Sequence, residues 1–168
     1  MNLVRRKYSR ILLVVSILVT LFGCARQQEG EKAYREVMMS AGEVISKMAS
    51  ACISHARSYI NIREYARISG EDFDAIADKI LGKEYQELQA QLEANKLKID
   101  EFMEGLENPP STLSEMYERL FEFHALYSKI HALAVSPSGS MDEYCDSIND
   151  LESRMKDLKS RLDLFHEE

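Results

Sequence analysis

The chain has 168 residues, 28 acidic against 21 basic side chains, and a formal charge of −7. That balance argues against nucleic acid, whose phosphates demand clustered Lys and Arg, and against electrostatic docking on anionic lipid. Seven glycines, three prolines (Pro109, Pro110 and Pro137) and no tryptophan are a composition of helices, not of hairpin-rich sheets.

At the start of the chain, Arg5, Arg6, Lys7 and Arg10 form a basic stretch, followed by the mostly apolar run from Ile11 to Phe22. A run of about twelve residues has the length of a signal-peptide core and falls short of the roughly 20 that a spanning helix needs. It closes on Leu21-Phe22-Gly23-Cys24. From Leu3 to Ala25 the chain resembles the leader and lipobox of bacterial lipoproteins. The resemblance implies diacylglycerol on the Cys24 sulfur, cleavage before Cys24 and acylation of the new amine. Phe22 departs from the small or β-branched residue usual at its position.

Location follows from the same resemblance: the bacterial cell envelope, with a lipid bilayer as the first partner through Cys24. Because Ala25 and not aspartate follows the cysteine, the resemblance implies the periplasmic face of the outer membrane in a Gram-negative host. Each buried CH₂ contributes about 0.8 kcal/mol, so two or three acyl chains anchor where one would not. The expected organisation is a signal peptide (1–23), a polar tether (24–30) and a helical domain (31–168). The leader carries four basic residues and no acid, leaving 17 basic against 28 acidic residues and a formal charge of −11.

Four apolar stripes follow. In the first helix, from Glu31, residues Tyr34, Met38, Ala41, Ile45, Met48, Cys52, His55, Tyr59, Ile62 and Ala66 alternate four and three apart, which keeps one face inward. Ser69-Gly70 ends it. Phe73, Ile76 and Ile80 open a second stripe, which slips by one residue beside Gly82 and continues through Leu88, Leu92, Asn95, Ile99, Phe102 and Leu106. Glycine costs about 1 kcal/mol relative to alanine within a helix, which favours a break or kink there over a continuous helix. Asn108-Pro109-Pro110 is a stop. Thr112-x-x-Glu115 and Ser140-x-x-Glu143 have the spacing of capping boxes. They precede a third helix (Leu113, Met116, Leu120, Phe123, Tyr127, Ile130, Ala134) and a fourth (Met141, Tyr144, Ile148, Leu151, Met155, Leu158, Leu162, Phe165).

Short connections between long helices predict an all-α, up-down-up-down four-helix bundle with heptad-like packing. The alternative is a helical hairpin that completes its core as a homodimer. The first helix would span about 57 Å and the third only about 35 Å. The turn from Tyr59 to Ile80 therefore overhangs the bundle or folds back over it. Its apolar residues Tyr59, Ile62, Tyr65, Ile68, Phe73 and Ile76 are a candidate partner surface unless the short segment before Gly82 covers them.

Cys52 and Cys145 remain once Cys24 is lipidated. An even pair in an exported chain suggests a disulfide. With the first and third helices starting level, the two cysteines lie within one helical turn in height. Two buried free thiols are the alternative.

Signatures of chemistry are sparse. The residues three before His55, His124, His131 and His166 are Cys52, Phe121, Ser128 and Asp163, so no Glu-x-x-His diiron motif is present. Neither a phosphate loop, a Gly-x-Ser-x-Gly elbow nor a His-Glu-x-x-His motif occurs. Cys52 and His55 share a helical face but lack an orienting third group, and His55 reads better as a core polar group needing a partner. Asn95 is placed similarly, where one buried amide can fix register. No cofactor or metal is expected, and the chain is not read as an enzyme. The expected function is a membrane-anchored scaffolding or protein-binding module with another envelope protein as partner. Two alternatives stand beside it: a carrier or sensor of a small apolar ligand in the bundle core, and a hydrolase using Cys52 and His55.

Overall fold

A computed structural model describes residues 30–80 and 82–166. The leader and Cys24 lie outside the described residues. The described chain forms helices α1 (Glu31–Ser69), α2 (Phe73–Ile80), α3 (Gly82–Glu104), α4 (Ser114–Val135) and α5 (Met141–Asp163), with 3₁₀ turns at Ser111–Leu113 and Leu164–His166. No strand occurs among these residues, and no helix is long and apolar enough to cross a membrane.

Backbone chemistry sets the breaks. Gly70 takes a left-handed conformation (φ 70°) and its N–H closes α1 on the Ala66 carbonyl at 2.9 Å. The expected break falls at Gly82, whose φ of 49° suits a residue without a Cβ. At α5 the capping box forms: the Glu143 N–H donates to Ser140 Oγ at 3.3 Å, and the Ser140 N–H to Glu143 Oε2 at 3.0 Å. At α4 the expected box does not form. The diproline leads into a 3₁₀ turn in which the Leu113 N–H donates to the Pro110 carbonyl at 2.8 Å. The helix starts only at Ser114, so Thr112 lies inside the turn and supplies no cap.

The four long helices run up-down-up-down. Tyr34 near the start of α1 donates its hydroxyl to the Leu106 carbonyl just beyond α3. Gln89 near the start of α3 donates to the Val135 carbonyl at the end of α4. Arg35 of α1 reaches the Phe165 carbonyl beyond α5, and the Tyr59 ring lies edge-on to Tyr144 at 5.5 Å. One continuous core joins α1, α3, α4 and α5 around Met38, Ile45, Leu92, Leu120, Phe123, Tyr127, Ile130 and Ile148.

The helices do not form an even square. In a regular ring the first and third helices are diagonal partners, whereas here α1 packs most extensively on α4, with α3 and α5 to either side. Small buried residues at seven-residue spacing, Gly42, Ala49 and Ala56, let the backbones approach. A Cβ at Gly42 would lie 2.5 Å from Leu162 Cδ2 and 3.8 Å from Leu120 Cδ1.

Candidate functional sites: the distal tip and a buried polar seam

The far end of α1 folds with α2. Ile62 and Ala66 of α1 and Ile76 of α2 make a satellite core, with Phe73 packed against it. The Tyr59 ring sits between this core and the main one, 5.3 Å from Phe73 and 5.5 Å from Tyr144. The expected apolar surface is therefore divided. Ile62 and Ile76 are buried, and Tyr59 and Phe73 half-buried, because the left-handed turn at Gly70 folds α2 back onto α1 before the break at Gly82. Tyr65 and Ile68, 51% and 72% exposed, stay outside. They lie three residues apart on one helix face, at the end of α1 opposite Glu31.

Cys52 and Cys145 are free thiols, and the anticipated bridge is not formed. Helical rise explains this. Gly42 packs on Leu162 of the antiparallel α5. Cys52 lies ten residues above Gly42 and Cys145 seventeen residues above Leu162, so the two differ in height by about 10 Å. A disulfide needs Cα atoms within roughly 7 Å. The expectation failed because the starts of the helices do not set their register: Gly42 seated on Leu162 brings Cys52 level with Glu152, seven residues from Cys145.

Cys52 and His55 are both in the core, 0% and 1% exposed. Burial pushes the Cys52 thiol up to about 12 and the His55 imidazole down to about 4. Both shifts favour the neutral forms, opposite to the thiolate and imidazolium of an activated pair.

The larger polar feature joins α3 to α4. Lys96 Nζ contacts both carboxylate oxygens of Asp100 at 2.5 Å. Asp100 Oδ1 accepts from His124 Nε2–H at 2.7 Å, since an ionised carboxylate can only accept. Lys96 also lies over the Tyr127 ring, 6.0 Å from its centroid. Tyr127 meets His131 edge-on at 6.1 Å, and His131 is hydrogen-bonded to the Leu92 carbonyl. Three buried atoms in this seam, Asn95 Oδ1, Tyr127 Oη and His131 Nε2, have no hydrogen-bond partner. The bond to Leu92 is thus made by His131 Nδ1.

Burial governs the electrostatics here. It raises the Tyr127 hydroxyl, with Cys52 and Asp100 adding to the effect. It lowers His124, partly offset by the Asp100 bond. It also lowers His131, with the Lys96 ammonium acting in the same direction and the Leu92 bond against it. No group of three or more His, Cys, Asp or Glu side chains able to hold a metal occurs among the described residues. An open groove of about 300 Å³ between α4 and α5 is lined by Leu126, Leu158 and the charged Glu122, Lys129, Arg154 and Asp157.

Sequence reasoning placed Asn95, His55 and Tyr127 on inward stripes but did not find the Lys96–Asp100–His124 cluster. The available signal was the i, i+4 pair of Lys96 and Asp100, but linking it to His124 required the pairing of α3 with α4. The molecule is an all-α helical bundle. No family model, curated protein or solved structure matches the chain.

Proposed function

We propose that this chain is a lipid-anchored envelope protein that holds a helical bundle at a membrane and presents the tip of α1 to another envelope protein. The observation that carries this reading is the exposed Tyr65–Ile68 pair at the end of α1 opposite Glu31. The lipobox-like Leu21-Phe22-Gly23-Cys24 places the tether at the Glu31 end. At about 1.5 Å per residue, the 34 and 37 residues from Glu31 to Tyr65 and Ile68 carry the pair about 51–56 Å from that end. Ile62, Phe73 and Ile76 support the tip from within, holding Tyr65 and Ile68 on a rigid helix.

Two measurements test the two halves. Labelled palmitate should appear on the native chain in living bacteria and disappear with Cys24→Ser. Its absence from the native chain would remove the anchor. Tyr65→Ser with Ile68→Ser changes exposed side chains, which normally alters stability by no more than about 0.5 kcal/mol each. The double variant should lose the neighbours that in-cell crosslinking captures on the native chain. An unchanged set of neighbours would show that the tip is not the docking surface.

A further inference from the structure

We propose that α3 is an acid-released arm of the bundle, latched to α4 through His131 and His124 and hinged at Gly82 and Asn108. Gly82 opens α3 at φ 49° and Asn108 follows it at φ 70°, so left-handed residues bracket the helix. The attachment is unusually polar. Asp100 accepts from His124, the Leu92 carbonyl accepts from His131, and Gln89 donates to the Val135 carbonyl at 3.1 Å. Of the long helices, α3 is packed more lightly than α5. The α5 stripe of Tyr144, Ile148, Leu151, Met155 and Leu162 bears one polar atom, a Tyr144 hydroxyl bonded to the Leu133 carbonyl. The α3 stripe is interrupted by Asn95, whose Oδ1 is buried without a partner.

Protonation acts on this attachment at a defined atom. His131 Nδ1–H already donates to Leu92, so an added proton goes to Nε2, which is buried with no acceptor. The charged groups facing the ring come from α3: the Lys96 ammonium, which repels it, and the Glu93 and Asp100 carboxylates, which attract it. Asp100 is already engaged by Lys96 and His124, and Glu93 is exposed. From α4 comes the Tyr127 ring. It meets the imidazole edge-on, and the buried Cys52 of α1 interacts with Tyr127. Burial and Lys96 both hold His131 below the ordinary imidazole value of about 6.5. An opened α3 returns the ring to water, so below that value the open state binds more protons than the closed one. Opening is then favoured as pH falls. His124 acts in the same direction more weakly, because its protonated form keeps the Asp100 carboxylate beside it.

Hydrogen exchange on the full-length chain in detergent micelles tests the proposal between pH 7.5 and 5. After correction for intrinsic exchange, amides of 86–104 should lose protection by up to about tenfold per pH unit, the limit for one linked proton. In a His55→Leu background, which removes the global pH dependence that His55 imposes, amides of α1, α4 and α5 should stay protected over the same range. His131→Asn keeps a donor for the Leu92 carbonyl and removes the stronger titrating ring, so it should reduce the selective loss to the weaker part due to His124. Lys96→Met, tested separately, should make the loss smaller, because without the ammonium the closed-state ring sits nearer the ordinary imidazole value. Equal loss of protection in all long helices of the His55→Leu background, or an α3 response unchanged by both His131→Asn and Lys96→Met, would overturn the proposal.

Discussion

Replacing Gly42 by alanine sets two effects of similar size against each other. The new Cβ would lie 2.5 Å from Leu162 Cδ2, about 0.9 Å inside the 3.4 Å at which ordinary contact begins. Leu162 is 4% exposed, so its side chain can yield only into packed surroundings. Overpacking of this kind costs about 1–3 kcal/mol, while alanine gains about 1 kcal/mol over glycine within a helix. Gly42→Ala should therefore destabilise by about 0–2 kcal/mol in urea unfolding. With Leu162→Ala in the background the obstruction is gone, and the same substitution should stabilise by up to about 1 kcal/mol. The two sites should thus couple by about 1–3 kcal/mol in a double-mutant cycle. Equal effects of Gly42→Ala in the two backgrounds, within about 0.5 kcal/mol, would refute the close approach of α1 to α5.

Three further outcomes follow from single features. Ser140→Ala removes the cap of α5 and should cost about 1 kcal/mol by urea unfolding, with Ser140→Gly costing only a few tenths. Gly82→Ala should cost about 1–2 kcal/mol through backbone conformation alone, because nothing stands within 4 Å of the added Cβ; a neutral result would mean that the α2–α3 junction relaxes. His55 is held neutral, near 4 in the fold against 6.5 unfolded, so the unfolded chain binds more protons between those values. Stability should fall as pH drops from 6.5 toward 4, with up to about 3 kcal/mol of that loss due to His55. His55→Leu should flatten this part of the urea pH profile, and an unchanged profile would show that His55 does not titrate as described.

The candidate surface divides along the same physical line. Tyr59, Ile62, Tyr65, Ile68, Phe73 and Ile76 are all apolar or aromatic residues in one stretch of chain, and composition alone treats them alike. Which are free depends on the direction in which α2 folds back. That direction comes from φ at Gly70 and Gly82 and from the fit of Ile76 between Ile62 and Ala66. The polar seam shows the same limit. Lys96–Asp100 is a local pair on one helix, but His124 becomes its partner only when α3 and α4 are aligned.

Although α3 ends at Glu104, before the expected stop at Asn108-Pro109-Pro110, local rules were enough for the four long helices, the end of α1 at Gly70, the break at Gly82 and the Ser140–Glu143 cap. Each depends on backbone sterics or on side chains within one helical turn. Heptad spacing also defined the inward face of every long helix, because a period near 3.6 keeps the same residues on one side. Relative height and closeness of the helices were decided only by tertiary packing. Helix α1 packs most extensively on α4, and Gly42 seats on Leu162 of α5. Those contacts hold Cys52 and Cys145 two turns apart, gather Lys96, Asp100 and His124, and leave Tyr65 and Ile68 in solvent. Such offsets are sums of many van der Waals contacts between residues distant in the chain, and no local period encodes them.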